Sequence, residues 1–245
     1  MIFDSGDRHE CAALTCVIMQ PTYLPWAGYF NLLCSASSIV FLDDVQFEKQ
    51  SWQQRNRILT SNGCLWLTVP VRRYSLSQTI NSIEIEVKHE WRNKHIKSIE
   101  QAYSKHPYFK DLFKILEIIA NPDIHSLSLL NIEIILSICN EIEIFTPITF
   151  SSNLLIEGTR SERLIKICKK LNCNIYLSPI GAKDYLVSDN LFKNSEVELV
   201  FQNYIPPVYR QKRQCSFISH ISILDVIANI GWSQTKDYVR DSGNV

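Results

Sequence analysis

The stretch that decides the fold is VIMQPTYLPWAGYFNLLCSASSIVFLDDVQFEKQSWQQRNR, residues 17–57. An apolar run over residues 14–19 predicts a buried strand, and the turn-rich segment QPTYLP follows it. Pro25 stands just before a predicted helix over residues 26–34, because a proline fits the first helical turn, where its missing N–H costs nothing. A second apolar run, residues 38–42, predicts another strand that stops at Asp43 and Asp44. The order is therefore strand, loop, helix, strand.

This order predicts a βαβ unit with parallel strands, whose carboxyl-terminal loops lie together at one edge of the sheet. The helix N-terminus points to the same edge, where its free amides and positive dipole end suit a phosphate or carboxylate. No glycine-rich fingerprint is present, which argues against a P-loop or a dinucleotide loop. The alternative is that the polar residues here only cap the sheet. The residues expected to face one crevice are Gln20, Thr22, Tyr23, Asp43, Asp44 and Gln46.

The rest of the chain extends this pattern. Strands are predicted over residues 64–71, 82–87, 146–151, 174–178 and 197–202, and helices over residues 90–104, 108–119, 127–142 and 222–230, with one more from residue 159. The predicted fold class is α/β: a Rossmann-like, mostly parallel sheet flanked by helices, with a helical insertion or subdomain at about residues 90–142. We expect a disordered leader over residues 1–13, a single domain over 14–232 and a tail over 233–245.

Composition excludes several classes of protein. The 25 basic and 25 acidic side chains cancel, which argues against a nucleic-acid-binding protein. No apolar run approaches the roughly 20 residues needed to span a bilayer, and the first residues lack the basic start of a secretory signal. None of the eight cysteines forms a CxxC pair, which favours reduced, cytoplasmic thiols and argues against a zinc site. The six histidines share no metal-ligand spacing, so we expect them at surface or boundary positions.

Two later loops add candidate residues. The predicted strand over residues 174–178 ends in SPIGAKDY, which repeats the opening pattern and presents Ser178, Lys183, Asp184 and Tyr185 after a strand end. The alternative is a solvated helix start. The proline-interrupted loop over residues 204–214 carries Tyr209 and several basic groups, which suit a nucleotide sugar through base stacking and phosphate pairing. A mobile surface loop is the alternative.

Residues 45–56 mix polar and aromatic side chains without a clean apolar face, so we predict an irregular segment over the sheet edge. Arg55 or Arg57 would bind a phosphate or carboxylate there, using the guanidinium fork that lysine lacks. A solvated connector is the alternative.

Several blocks of this sequence, taken in order, resemble the WbqC family of bacterial proteins: MQPTYLPWAGYF, FLDDVQF, SWQQRNRI, WLTVPV, LSPIGAKDYL and FQNYIPPVYRQ. The resemblance covers roughly residues 17–232. It implies a role in O-antigen or other surface-polysaccharide pathways, beside enzymes that make N-acylated amino sugars. Pro206 stands where many members have histidine, which argues against a histidine base in that loop. The substrate-binding residues predicted within these blocks are Gln20, Tyr23, Trp26, Tyr29, Gln46, Gln53, Arg55, Asn56, Arg57, Ser178, Tyr185 and Tyr209.

The resemblance implies a cytoplasmic transferase or ligase that attaches an acyl or aminoacyl group to the amine of a nucleotide-linked amino sugar. Such a step needs a base for the amine proton, for which Asp43, Asp44 or Asp184 are candidates, and oxyanion donors, for which Lys183 or the first helix end are candidates. These four side chains are the predicted catalytic residues, and no metal site is predicted. On this hypothesis Asp44→Asn abolishes turnover and leaves the fold intact.

Two other functions stay open: a non-catalytic nucleotide-sugar-binding partner of polysaccharide enzymes, and a glycosyltransferase suggested by the paired aspartates. The candidate cofactors are ATP or another activated acyl donor, although PWAGY at residues 25–29 lacks both histidines of the HxGH motif of nucleotidyltransferase-like folds. The expected partner is a nucleotide-linked sugar or another small molecule, with no nucleic acid and no transmembrane segment. A homo-oligomer also stays open.

Overall fold

The fold is described by a computed structural model that covers residues 13–88, 90–212 and 216–241. Its strands, in chain order, are β1 (Thr15–Met19), β2 (Ser38–Phe41), β3 (Arg55–Thr60), β4 (Gly63–Thr68), β5 (Ile148–Phe150), β6 (Ile175–Ser178) and β7 (Glu198–Phe201). Five of them form one sheet in the order β5-β2-β1-β6-β7, and each neighbouring pair is parallel. The other two, β3 and β4, pair antiparallel as a separate hairpin.

Helices flank this sheet. The α-helices are α1 (Ala27–Cys34), α2 (Trp91–Tyr103), α3 (Phe113–Ala120), α4 (Leu127–Glu141), α5 (Ser151–Leu154), α6 (Arg160–Lys170), α7 (Lys183–Ser188) and α8 (Ile223–Arg240). Short 3-10 helices cover Ile80–Ser82, Phe109–Leu112, Ile180–Ala182 and Phe192–Asn194. The predicted α/β class is confirmed.

The strand order is Rossmann-like and spans both sides of the switch point. Numbered by their succession within the sheet, the five strands lie in the order 3-2-1-4-5, so the chain winds outward from β1 in one direction and then restarts at β6 on its other side. In open parallel sheets the crevice outside such a switch point is where ligands bind. The sheet topology alone therefore predicts a ligand site at the carboxyl ends of β1 and β6.

Alternate side chains of β1 enter two cores on opposite faces of the sheet. Val17 packs in the larger core with the apolar faces of α1, α4 and α8, whereas Cys16 and Ile18 pack in the smaller core with α6 and α7. Because both faces are covered, the strand is apolar at every position from 16 to 18, as is typical of a buried parallel strand.

The hairpin and the helices α2 to α4 lie between β2 and β5 in the chain. Their apolar residues, among them Ile58, Ile99, Ile115 and Ile135, join the larger core beside α1 and α8. The predicted succession of three helices is present at residues 91–141. It packs on the same core as the sheet helices.

Two predicted strands are corrected. The strand predicted over residues 64–71 ends at Thr68 and belongs to the hairpin, where it pairs with Arg55–Thr60 rather than with the parallel sheet. The strand predicted over residues 82–87 makes only isolated bridges at Glu84 and Ile85 and follows the 3-10 helix Ile80–Ser82. Its alternation of buried and exposed residues comes from packing on the larger core without a ladder of backbone bonds.

The last helix is longer than predicted. It continues to Arg240 across a kink at Gly231 (φ 74°, ψ 173°), so the predicted helix end at residue 230 is wrong. Residues 233–240, which were predicted to belong to a tail, are helical. A Cβ on Gly231 would stand 2.6 Å from Cδ1 of Tyr108, so this position combines a left-handed backbone with a close approach that only glycine tolerates. Apart from Ala13, the predicted leader lies outside the described residues, as do residues 242–245, His9, His89, Cys11 and Cys215.

Candidate functional site

Two adjoining pockets open at the switch point, where β1 and β6 end. They share three lining residues, Met19, Thr22 and Trp52, so together they form one crevice. The first pocket, of about 290 Å³, is lined by Gln20 and Gln53 among others, and we call it the glutamine pocket.

The second pocket, of about 300 Å³, is lined by Trp26, Tyr29, Asn56, Arg57 and His220, and we call it the arginine pocket. A larger cavity of about 480 Å³ lies beside the edge strand β7, away from the switch point. We place the site in the crevice because ligands of open α/β sheets bind at the switch point and because several polar groups converge there.

The rings of Trp26, His220 and Tyr204 form an aromatic wall at the arginine pocket, which Trp26 and His220 line. The indole of Trp26 packs against the imidazole of His220, with ring centroids 4.4 Å apart and planes tilted by 31°, and its centroid lies 5.8 Å from that of the Tyr204 ring. Trp26 can lie this close to α1 because residue 28 is glycine: a Cβ there would stand 2.1 Å from Cη2 of Trp26. The first turn of α1 has no side-chain cap, but Ala27 and Gly28 line neither pocket and the Trp26 indole lies over Gly28.

Arg57 supplies the positive charge of this pocket. Its Nη2 donates to the backbone carbonyl of His220 (3.2 Å), and its guanidinium lies 5.6 Å from the Trp66 ring centroid. Its Nε–H is buried and has no hydrogen-bond acceptor among the described residues. An orphaned charged donor beside a pocket can bind an oxyanion.

His220 lines the arginine pocket and has an unusual backbone conformation. Its φ is 56°, a left-handed value that is uncommon for a residue with a Cβ. The hydroxyl of Ser219 lies 2.7 Å from its Nδ1. In the described part of the chain, nothing bonds its Nε2, so this nitrogen is available to a ligand.

Two buried asparagines hold the loop between β1 and α1 in place. Asn56 Nδ2 donates to the carbonyls of Tyr23 (3.2 Å) and Leu24 (2.8 Å), and Asn131 Nδ2 donates to the carbonyls of Pro21 (3.1 Å) and Gln53 (2.7 Å). Both side chains are almost fully buried. Because the loop backbone has no ladder partner here, these amides satisfy its carbonyls, and α4 thereby positions the crevice.

The glutamine pocket contains a chain of amides. Gln53 Nε2 donates to Gln20 Oε1 (2.9 Å), and Gln53 Oε1 accepts from the backbone N–H of Glu48 (2.9 Å). Within the described residues the Gln20 side chain makes no other bond, so its own N–H groups are available to a ligand. Tyr185 and Ser51 add hydroxyls to this pocket.

Tyr23 and Tyr29, which were predicted to bind substrate, are buried and make hydrogen bonds within the protein. Tyr23 is fully buried and its hydroxyl bonds Nδ1 of His95 (2.9 Å), while the Tyr29 hydroxyl donates to the carbonyl of Gln20 (3.0 Å). Burial raises the pKa of both phenols above the usual range, so they stay neutral. Tyr29 still lines the arginine pocket, whereas Tyr23 lines neither pocket.

The paired aspartates are bound to α5 and α6. Asp43 Oδ1 accepts from Ser152 N–H (3.0 Å) and its Oδ2 from the Ser152 hydroxyl (2.7 Å). Asp44 Oδ1 accepts from the Ser151 hydroxyl (2.5 Å), and its Oδ2 forms an ion pair with Arg163 (2.6 Å). Burial alone would raise the pKa of Asp44, but the hydrogen bonds from Arg163 and Ser151 outweigh it and lower that pKa. Neither carboxylate lines the crevice, although Leu42 beside them does.

The second predicted loop reaches the crevice in part. Tyr185 lines the glutamine pocket, and its pKa is raised by burial and by the charge of Asp189. Lys183 and Asp184 are exposed on α7, and the Lys183 ammonium lies 6.0 Å from the ring centroid of Phe201. Ser178 is buried at the end of β6, where its hydroxyl donates to the carbonyl of Pro179 (3.3 Å).

Three further predicted residues lie outside both pockets. Gln46 is exposed and makes an isolated bridge with Thr79, and Arg55 lies with its guanidinium 4.4 Å from the ring centroid of Trp66. Tyr209 lies behind the aromatic wall and donates its hydroxyl to the buried carboxylate of Asp225 (2.5 Å). Burial raises the pKa of both groups of that pair.

Sequence reasoning missed Trp52, His220 and Asn131. Trp52 is half exposed and borders both pockets, but an isolated tryptophan in a polar segment gives no periodic signal. His220 contacts Arg57 from 163 positions away, a separation that no local pattern encodes. A signal did exist for Asn131, an amide among the buried apolar residues of α4 that is itself fully buried.

The described residues contain neither a membrane-spanning helix nor a cluster of metal ligands. None of the described helices is long and apolar enough to cross a membrane. Across residues 13–88, 90–212 and 216–241, no group of three or more His, Cys, Asp or Glu side chains is arranged to hold a metal ion.

Comparison with known proteins gives two matches. The WbqC-like protein family matches residues 20–237 of the chain. The uncharacterized protein Rv1507c of Mycobacterium tuberculosis is 32% identical over 227 residues, which cover 91% of this chain and 96% of that protein. No solved structure shows significant similarity to the chain.

Proposed function

Because the chain belongs to the WbqC-like protein family, we propose that it acts in surface-polysaccharide (O-antigen) biosynthesis in the cytoplasm. In this proposal it binds a nucleotide-linked amino sugar in the crevice and transfers an acyl or aminoacyl group to the sugar amine. The observation that carries the proposal is the composition of the crevice: two indoles, two glutamine amides and one arginine converge at the switch point of a Rossmann-like sheet. Such a set suits a polar ligand with flat faces.

The two pockets offer complementary contacts to a sugar nucleotide. The amides of Gln20 and Gln53 carry donors and acceptors at fixed positions, which match the hydroxyl groups of a sugar. The indoles of Trp26 and Trp52 offer apolar faces for the C–H faces of a sugar ring or for a base. The guanidinium of Arg57 offers a planar fork for phosphate oxygens.

Amide formation on the sugar needs a base beside the amine. In the transfer step, the amine nitrogen forms a bond to the acyl carbon of an activated donor, such as an acyl thioester, an acyl phosphate or an acyl-adenylate. The leaving group departs with its bonding electrons, and the amine proton passes to the base. We assign that base to His220, because Asp43 and Asp44 already accept from serines and Arg163.

One observation favours a second candidate function, a non-catalytic nucleotide-sugar-binding partner of polysaccharide enzymes. The buried polar groups of the crevice, Gln53 and Asn56, are amides engaged in hydrogen bonds. Such groups hold a ligand whether or not a reaction follows. The glycosyltransferase alternative depended on free oxygens of Asp43 and Asp44 for a cation. Because those oxygens already accept from protein donors, the geometry argues against that alternative.

The test combines purified protein with nucleotide-linked amino sugars and either an acyl thioester or ATP with a carboxylic or amino acid, and looks for the mass of the N-acylated product. We expect transfer by the parent protein and by the control His125→Gln, whose histidine is exposed and lies outside the crevice. We expect His220→Gln to be slower by about a hundredfold or more. Binding without transfer across all donors supports the second function, and an absence of both contradicts the proposal.

A further inference from the structure

The outer face of the hairpin carries an exposed aromatic and basic surface next to the crevice. Trp66 on β4 is the cross-strand partner of Arg57 on β3, and the guanidinium of Arg55 lies 4.4 Å from the Trp66 ring centroid. The ring of Trp52 lies 5.5 Å from that of Trp66 at an interplanar angle of 35°. We call these four residues, Trp52, Arg55, Arg57 and Trp66, the hairpin platform.

The exposure of the platform has no structural explanation. Trp52 is 50% exposed and Trp66 is 43% exposed, although the same hairpin buries Ile58 and Leu67 in the larger core. Large aromatic side chains left in water beside a pocket commonly mark a binding surface. Trp52 and Arg57 line the pockets themselves, so the platform is continuous with the crevice.

The charges of the platform lack a counter-ion. Arg55 and Arg57 are two positions apart on one strand and project toward the same indole. In the part of the chain that is described, neither guanidinium forms an ion pair with a carboxylate. Two neighbouring cations repel one another unless an anion joins them. The orphaned Nε–H of Arg57 adds an unfilled donor at the same place.

We propose that the hairpin platform binds a nucleoside diphosphate group, with the base on Trp52 and Trp66 and the diphosphate oxygens on Arg55 and Arg57. This inference rests on the proposed function and specifies which part of the substrate this surface takes. Bases stack on indoles irrespective of sequence, and guanidinium forks bind phosphate oxygens in pairs. The diphosphate can come from a nucleotide-linked sugar or from ATP, and the two sources share this chemistry.

The test measures binding to the complete protein by calorimetry and by quenching of tryptophan fluorescence. The probes are the pyrimidine nucleoside diphosphates UDP, CDP and dTDP, the purine nucleotides GDP, ADP and ATP, inorganic pyrophosphate and a single-stranded oligonucleotide. We expect at least one nucleoside diphosphate to bind and to quench the fluorescence. Tight binding of ADP and ATP alone identifies the donor nucleotide as the source, whereas binding of the other nucleoside diphosphates identifies the sugar nucleotide.

Variants localise the binding. We expect Trp66→Leu and Arg57→Lys each to raise the dissociation constant about tenfold, because Leu removes the stacking ring and Lys removes the guanidinium fork. Leu keeps an apolar side chain on the hairpin and Lys keeps the positive charge. The matched controls are Phe145→Ala, an aromatic that is 75% exposed, and Arg73→Gln, an exposed arginine outside both pockets. Thermal melting of each variant confirms that it is folded.

The outcomes separate this inference from the proposed function. No binding of any nucleoside diphosphate, unchanged binding by both platform variants, or tighter binding of the oligonucleotide would each overturn the inference. A protein that binds nucleoside diphosphates on the platform but transfers no acyl group supports the inference and contradicts the catalytic proposal. A protein that acylates amino sugars equally well with Trp66→Leu and Arg57→Lys supports the catalytic proposal and overturns the inference.

Discussion

The indole of Trp26 lies across the backbone of Gly28, two residues further along the chain, so that a Cβ on Gly28 would stand 2.1 Å from Cη2 of Trp26. The same indole packs against His220. Gly28 is therefore the residue that lets the aromatic wall stand where it lines the arginine pocket.

Gly28→Ala should displace Trp26 and weaken ligand binding. Alanine normally favours a helix over glycine by about 1 kcal/mol, but here its methyl group overlaps the indole. We expect a dissociation constant for the sugar nucleotide raised about tenfold, which corresponds to about 1.4 kcal/mol. Calorimetry and thermal melting measure both effects. The control is Gly181→Ala, since nothing lies within 4 Å of a Cβ at that position. A Gly28→Ala protein that is more stable and binds equally well would contradict this account of the wall.

Asp44→Asn tests whether the Asp44 carboxylate is structural or catalytic. Its ion pair with Arg163 and its bond from Ser151 join the end of β2 to α5 and α6. About a quarter of the Asp44 side chain is exposed, so we expect a loss of about 1 kcal/mol in the free energy of unfolding. The pKa of Asp44 is lowered in the folded state, so its contribution is present above the unfolded value near 3.8 and is lost as the pH falls through the folded value.

The measurement is urea unfolding, with Arg163→Gln as the matched variant, because it removes the other half of the same pair. Transfer activity of the folded variant is measured alongside. Abolished transfer with unchanged stability would show that Asp44 is the base after all, and would remove that role from His220.

His95 should make the protein sensitive to mild acid. Burial lowers the pKa of His95 to about 4, and its bond to the Thr68 carbonyl offsets only part of that effect. The unfolded chain takes up a proton near pH 6.5 while the folded chain does not, so stability is full above pH 6.5 and falls as the pH drops towards 4. The shift corresponds to a loss of about 3 kcal/mol over that window.

Urea unfolding between pH 4 and 8 measures this dependence. His95→Gln should remove it, and the control His125→Gln, which replaces an exposed histidine, should retain it. Because His95 stays neutral in the folded protein down to about pH 4, its bond to Tyr23 of the crevice loop persists over that window, and ligand binding by the folded protein should not change through His95. Equal acid sensitivity of His95→Gln and the parent would assign the effect to other groups.

The opening stretch was predictable because its strands are apolar throughout and end at abrupt polar boundaries. The structure places β1 at Thr15–Met19, α1 at Ala27–Cys34 and β2 at Ser38–Phe41, within one or two residues of the predicted bounds. The parallel sheet and the crevice at its edge follow from that unit, because parallel strands place their ends together.

The hairpin was not predictable in the same way, since β3 has a polar residue on its inner face. Asn56 is buried there because its amide satisfies the loop carbonyls of Tyr23 and Leu24. With a polar side chain facing inward and arginines facing outward, the strand has no apolar alternation at its start. The need to bond the loop carbonyls thus replaced an inward apolar residue of β3 with a polar one, and the strand lost its alternating pattern.

The candidate catalytic and substrate-binding residues were placed from strand ends, and strand ends locate a region without orienting side chains. Gln20 and Tyr185 line the crevice, whereas Asp44 turns to Arg163 and Lys183 lies exposed on α7. Which way a side chain turns depends on partners distant in sequence, such as Arg163, 119 positions from Asp44. That information enters only with the tertiary structure.

The hairpin forms a two-stranded sheet of its own, so its ladder shares no backbone bonds with the five parallel strands. Replacement of Arg55, Arg57 or Trp66 on its outward side therefore leaves the registers of the parallel sheet untouched. During divergence of the family, the residues of the hairpin platform can therefore change to suit a different nucleotide while the parallel sheet stays the same. Relatives with other substrates should accordingly differ first at these outward positions and last at Asn56 and Asn131.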